Sequence, residues 1–180
     1  LCIIGRLAAE ICIADPLRKE AKAAIEALHA CGISKVVMMT GDNRKTAQAV
    51  AREVGVDQFY ADVLPEDKAS FIRQEKSAGR KVIMIGDGVN DTPALSEADV
   101  GIAINTGAAI AREIADVTIA SEDLFELVTL RKISQALMNR IHRNYRFIVG
   151  FNCMLIALGV AGVIQPTTSA LLHNASTLGI

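Results

Sequence analysis

The chain has no tryptophan, two tyrosines and five phenylalanines among 180 residues. Too few aromatic rings remain to build a base-stacking platform or an extended aromatic-basic surface, so no nucleic-acid partner is expected. The four cysteines, Cys2, Cys12, Cys31 and Cys153, form no Cys-x-x-Cys pair. They supply no zinc-type ligand spacing and no disulfide framework, and reduced thiols are the expectation. Internal repeats and low-complexity runs are also missing. The most informative shortage is of negative charge at one end, because all 20 acidic residues lie at or before Glu126, together with 14 of the 19 lysines and arginines. The first portion therefore carries a net charge of −6 and the remainder +5, and such a break marks two chemically different parts.

Hydropathy changes near the same place. Arg131, Lys132, Arg140, Arg143 and Arg146 lead into an uncharged run from Phe147 to Ile164. As a helix, those 18 residues rise about 27 Å, near the hydrocarbon thickness of a bilayer. A transmembrane helix is expected over 147–164, preceded by a basic helical link over 127–146 that starts on the cytoplasmic side. Its place late in the chain argues against a signal peptide, and the bland alternative is a buried helix of a soluble domain. Gln165-Pro166 ends the run, and 167–180 reads as the start of a second, truncated span. His173, Asn174, Ser176 and Thr177 fall on nearly one helical turn. Ionisable groups at membrane depth usually face a bundle interior or an ion path, and imidazole is a common transition-metal ligand. His173 is a candidate for such a path, whereas an interhelical hydrogen bond is the favoured role for Ser176 and Thr177.

Before the charge break, apolar runs alternate with helical patterns. The reading is a strand pair around Gly5-Arg6, helix 18–31, strand 35–39, helix 44–54, a short strand at 58–61, helix 65–78, strand 82–85, helix 91–97, strand 100–104, helix 108–115 and strand 117–119. That alternation predicts an α/β domain over 1–126 with a doubly wound, Rossmann-like parallel sheet, its strands buried on both faces. Ala21, Ala24, Ile25 and Leu28 make one sheet-covering stripe. The surface histidines His29 and His142 fall in polar helical stretches.

Two strand ends carry chemistry. Val82-Ile83-Met84-Ile85 runs into Gly86-Asp87-Gly88-Val89-Asn90-Asp91, at the place where open α/β sheets bind ligands. The glycines permit a sharp turn, and the hard carboxylate oxygens of Asp87 and Asp91 suit Mg2+. An ordinary Asp/Gly turn is the competing reading. Val36-Val37-Met38-Met39 likewise leads into Thr40-Gly41-Asp42-Asn43 and a helix start, an anion site by its free N–H groups, with Asp42 or Asn43 as the plain N-cap. Lys68 stands in the first turn of the next helix, where a solvated surface charge is the usual role.

Met39-Thr40-Gly41-Asp42-Asn43, Ala61-Asp62-Val63-Leu64-Pro65-Glu66-Asp67-Lys68 and the ten-residue string from Gly86 to Leu95 together resemble the later motifs of the haloacid dehalogenase superfamily. The match is closest to the phosphorylation domain of P-type cation pumps. Asp15-Pro16-Leu17-Arg18 and Ala98-Asp99-Val100-Gly101-Ile102-Ala103 extend the likeness toward the heavy-metal-transporting group. The resemblance implies a haloacid dehalogenase-like fold followed by transmembrane helices, ATP as substrate, and a multi-pass membrane protein, at the plasma membrane, with residues 1–146 cytoplasmic. It implies that Thr40, Gly41 and Asp42 bind the phosphoryl group, that Lys68 neutralises its charge, that Asn90 contacts it, and that Asp87 and Asp91 hold Mg2+.

The family's nucleophile, the aspartate of an Asp-Lys-Thr-Gly-Thr motif, does not occur here, and no Asp-Lys-Thr is present. A carboxylate nucleophile is needed to form an aspartyl-phosphate. The chain is therefore expected to be the C-terminal part of a larger pump, inactive alone and completed by upstream domains of the same polypeptide. Asn152, His173, Ser176 and Thr177 are the expected path for the transported ion. Phe151-Asn152 stands where monovalent-copper pumps have Tyr-Asn, and His173-Asn174-Ala175-Ser176-Thr177 lacks their soft methionine. A divalent transition metal is favoured, with Cu(I) possible. A soluble or membrane-tethered phosphatase-like or regulatory protein of the same superfamily is the alternative.

Overall fold

The computed structural model describes residues 2–3, 6–7, 16–86, 89–104, 113–120 and 123–178. The chain divides into two units, 1–128 and 129–180.

In the first unit, β1 (Cys2–Ile3) and β2 (Arg6–Leu7) form an antiparallel hairpin. There follow α1 (Ala21–Ala30), β3 (Val37–Met39), α2 (Arg44–Val54), β4 (Gln58–Tyr60) and α3 (Pro65–Ser77). Then come β5 (Ile83–Gly86), a single 3-10 turn at Val89–Asp91, α4 (Thr92–Glu97), β6 (Val100–Ile104) and β7 (Val117–Ile119). The alternation read from the sequence is present, apart from helix 108–115, most of which lies outside the described residues. β3 pairs parallel with β4, and β5, β6 and β7 form a parallel trio in that order. The expected single sheet is thus divided into a pair and a trio by its hydrogen bonding. Among the described residues, β3 and β5 each keep one edge without a ladder partner.

Burial follows the helical stripe, but of the parallel strands only β6 is buried on both faces as expected: β3 and β4 are half-buried throughout and β7 exposes Thr118. Ala21 and Ala24 of α1 are buried and Ile25 and Leu28 half-buried, as a sheet-covering stripe requires. β5 is not buried on both faces, because Met84 and Gly86 are buried while Ile83 and Ile85 are 44% and 39% exposed. The core joins Ile72 of α3, Met84 of β5, and Ala94 and Leu95 of α4, with Val82, Ala98 and Ile114 against it. Ile72 and Leu95 are fully buried, each stabilising the fold by roughly 1.5–3 kcal/mol relative to exposure. α4 approaches β6 so closely that a Cβ on Gly101 would stand 2.7 Å from the Leu95 carbonyl oxygen.

Three aspartates fasten the strand beginnings by one device. Asp57, just before β4, accepts the Val36 N–H at 2.6 Å. Asp99, just before β6, accepts the Val82 N–H at 2.9 Å. Asp116, just before β7, accepts the Gly101 N–H at 2.8 Å. Each carboxylate takes a backbone donor at the entry to the neighbouring strand, where an unpaired N–H would be costly. The Val82 N–H, and then Lys81 at 2.9 Å, hold the Asp99 carboxyl below the usual carboxylate range. His29 is not a free surface residue: its Nδ1 lies 2.8 Å from the Ile33 carbonyl and its Nε2 3.2 Å from Asp57 Oδ2.

The second unit is built on α5 (Phe125–Val160), whose first residues belong to the first unit, and α6 (Pro166–Leu178). The basic link and most of the apolar run expected as separate pieces are one uninterrupted helix. It stops at Val160, four residues short of the predicted 147–164 span, because the chain turns at Ala161-Gly162 with Gly162 at φ +71°. Gly162 N–H and Val163 N–H close the helix end on the carbonyls of Gly159 and Leu158, as a left-handed glycine terminus does. The helical part of the apolar run, 147–160, rises only about 21 Å. Among the described residues no helix is long and apolar enough to cross a membrane.

Candidate functional site

The loops leaving β3 and β4 are bonded to each other. Thr40 N–H continues the parallel ladder to the Tyr60 carbonyl, Val63 N–H returns to the Thr40 carbonyl, and Asp62 N–H reaches the Asp42 carbonyl, at 3.0, 3.0 and 2.9 Å. Asp62 adopts φ +54° to do so, a left-handed conformation that aspartate tolerates better than most residues. Asn43 takes the cap of α2, its Oδ1 accepting from Thr46 N–H at 3.0 Å. Asp42 is therefore not the cap. Its carboxylate instead accepts from the Thr40 hydroxyl at 3.0 Å, and its own N–H donates to that hydroxyl at 3.1 Å. Gly41, Asp42 and Asn43 are exposed and Thr40 half-buried.

α3 begins with Pro65, and Asp67 Oδ2 accepts the Leu64 N–H at 3.2 Å. That start places Lys68 in the first turn, yet not as a solvated charge. Its Nζ donates to Asp91 Oδ1 at 2.7 Å, with the two side chains 16% and 12% exposed. Asp91 is the one buried charged residue among those described. Its place depends on Gly86 at the end of β5, where a Cβ would stand 2.7 Å from Asp91 Cβ and 2.8 Å from Oδ2. The close approach that this glycine permits is to a protein carboxylate. Asn90 is exposed in the intervening turn. Asp87 and Gly88 lie outside the described residues.

Sequence reading thus named both members of the Lys68–Asp91 pair without foreseeing that they meet. Asp57, Asp99 and Asp116 were missed as strand fasteners; the signal was an aspartate immediately before a strand, in Val56-Asp57-Gln58, Ala98-Asp99-Val100 and Ala115-Asp116-Val117. Thr92 Oγ1, beside Asp91, is buried with no hydrogen-bond partner among the described residues. The donor chemistry at Asp91 suits a hard cation, with one of its oxygens already bonded to lysine. No trio of His, Cys, Asp or Glu converges among the described residues.

In the second unit His173 Nδ1 lies 2.7 Å from Asn152 Oδ1, bringing α6 back onto α5. Ser176 does not make the expected interhelical bond: its hydroxyl donates at 2.8 Å to the His173 carbonyl of its own helix. The Thr177 side chain lies outside the described residues.

The model of the haloacid dehalogenase-like hydrolases matches residues 1–99. Over 94% of its length the chain is 47% identical to a copper-transporting ATPase of Rhizobium meliloti, covering 20% of that protein. It is 39% identical over its whole length to a manganese-exporting P-type ATPase of Mycobacterium bovis, covering 25% of it. The chain thus spans about a fifth to a quarter of the curated relatives it matches. Among solved structures, a zinc-transporting PIB-type ATPase in the E2.Pi state aligns with a TM-score of 0.83 and 33% identity, over 91% of this chain and 27% of that one. The catalytic domain of the CPx-ATPase CopB-B aligns at 0.61 and 36% identity, over 66% and 47%. The parallel α/β architecture, the strand-end motifs and these likenesses agree: the chain belongs to the haloacid dehalogenase-like hydrolases, and within them its relatives are heavy-metal P-type ATPases.

Proposed function

We propose that this chain is the rear segment of an ATP-driven heavy-metal pump working through an aspartyl-phosphate, and that it carries the residues that position the phosphoryl group. The observation behind this reading is the Lys68–Asp91 pair at 2.7 Å, seated against Gly86 at a strand's carboxyl end. A lysine held by a carboxylate is aimed before phosphate arrives, as suits a reaction driven by positioning and electrostatics. Thr40, Gly41 and Asp42 receive the phosphoryl oxygens from the β3 end, and the Thr40 hydroxyl turns from Asp42 to do so. Asn90 contacts the same group from the exposed turn. Asp87 and Asp91 are the carboxylates that would hold Mg2+, which when bound neutralises charge on the transferring group. The nucleophilic aspartate and most of the ATP pocket belong to other parts of the polypeptide; among the described residues β3 and β5 each keep an edge to which a parallel strand bearing it could add.

The cargo is proposed to be a divalent transition metal, with Cu(I) possible. An imidazole bonded to an amide oxygen, His173 with Asn152, is harder chemistry than the sulfur ligands that Cu(I) prefers. Relatives named for copper, manganese and zinc bracket this choice. Asn152, His173, Ser176 and Thr177 form the proposed path, in a multi-pass plasma-membrane protein with residues 1–146 cytoplasmic. The second reading, a phosphatase-like or regulatory protein, draws on one observation: among the described residues no helix can cross a membrane alone.

One experiment separates them. The full-length polypeptide, in native membranes, is incubated with γ-labelled ATP and each metal in turn. A metal-dependent, hydroxylamine-sensitive phosphoprotein that disappears in Asp87→Ala supports the pump. Phosphate release from small esters with no phosphoprotein, or recovery of the protein without detergent, overturns it.

A further inference from the structure

From Leu127 to Ile180 the chain has five arginines and lysines and no carboxylate side chain. Lys132, Asn139, Arg143 and Arg146 recur at the seven-, four- and three-residue spacings that line one face of α5. Asn139, His142, Arg143, Tyr145 and Arg146 are all exposed within two turns of that helix. None of the ion pairs among the described residues involves Arg143 or Arg146. Phe147 follows at once, 54% exposed, and stacks on Phe151 with ring centroids 5.8 Å apart. Val149, Met154 and Ile156 continue the exposed apolar surface. A helix that passes from one-signed guanidinium donors, through aromatic rings, to bare apolar side chains within two turns has the chemistry of a boundary between anionic headgroups and acyl chains.

We infer that the exposed cluster of His142, Arg143, Tyr145 and Arg146 binds the phosphodiester of an anionic phospholipid, with Phe147 and Phe151 against its glycerol and upper acyl region. Guanidinium forks match phosphate oxygens in pairs, and a tyrosine hydroxyl adds a neutral donor. The charge selects anionic over zwitterionic lipid, because a choline headgroup returns a positive charge to the same place. The inference rests on the membrane reading of the second unit and deepens it by naming the lipid class and the residues.

The test is sedimentation of the full chain with vesicles of phosphatidylcholine alone and of equal parts phosphatidylcholine and phosphatidylglycerol. Tighter binding to the anionic vesicles is expected, weakening as salt rises. It should fall roughly 5-fold for each arginine removed in Arg143→Gln and the double variant R143Q/R146Q. A charge-matched pair on the first unit, K22Q/R52Q, should leave it unchanged. Equal binding to both vesicles, an anionic preference equally reduced by K22Q/R52Q, or full competition by millimolar inorganic phosphate overturns the lipid site while leaving membrane association standing. Failure to bind either vesicle overturns the membrane reading itself.

Discussion

Lys68 and Asp91, 23 residues apart in sequence, meet at 2.7 Å across the first turn of α3 and the entry to α4. With both side chains largely shielded, deleting one partner strands the other. Lys68→Ala is expected to destabilise the fold by about 2–4 kcal/mol, since an unpaired buried carboxylate costs more than the pair returns. The double variant K68A/D91A should recover part of that loss in denaturant unfolding. Strictly additive single and double variants would mean that the pair is not coupled.

Gly86→Ala tests the seat of the same carboxylate. A methyl group 2.7 Å from Asp91 Cβ forces Asp91 off its position, at a cost of about 1–3 kcal/mol. Phosphoenzyme formation in the full-length protein should drop with it. An alanine variant with unchanged melting and phosphorylation would remove Gly86 from the site.

The two neighbours Asp42 and Asn43 should separate cleanly. Asn43→Ala removes the cap on Thr46 N–H and is expected to lower stability by about 1 kcal/mol, with phosphorylation kept in proportion to folded protein. Asp42→Asn leaves the cap intact and should impair phosphoryl transfer with little change in unfolding. Opposite results would exchange their roles.

Asp99 gives the fold a pH signature. Its folded-state acidity is increased by the Val82 N–H and by Lys81, so its contribution is complete above the ordinary carboxylate range. It disappears as pH falls through the lower folded-state value. Asp99→Asn should therefore be less stable than the parent at neutral pH, and the gap should close in acid. A gap that widens as pH falls would contradict the assignment.

On the proposed pump reading, α5, one uninterrupted helix from Phe125 to Val160, is the proposed link between phosphorylation and the ion path. A Gly/Ser insertion between Leu127 and Arg140 in the full-length pump is expected to abolish metal transport while sparing phosphoenzyme formation. Unchanged transport would mean that coupling runs elsewhere.

Local signals carried much of the outcome. Alternating apolar runs and helical stripes foretold the order of α1 to β7, because each element buries its own periodic face. Thr40, Asp42, Lys68 and Asp91 stood out because glycine turns and helix starts are written in adjacent residues. The charge break after Glu126 likewise marked where the chain changes character. Tertiary structure decided what sits together. That Lys68 meets Asp91, and that Asp57, Asp99 and Asp116 each close a neighbouring strand, are contacts across a crossover, invisible to any local period; that Gly86 faces the Asp91 carboxylate is closer in sequence, five residues on, but is set by the path of the turn. The same holds for the end of α5: hydropathy runs on to Ile164, but a left-handed turn at Gly162 stops the helix at Val160. Composition records which side chains prefer oil to water, whereas only the folded backbone decides where a helix stops and which atoms come within hydrogen-bonding distance.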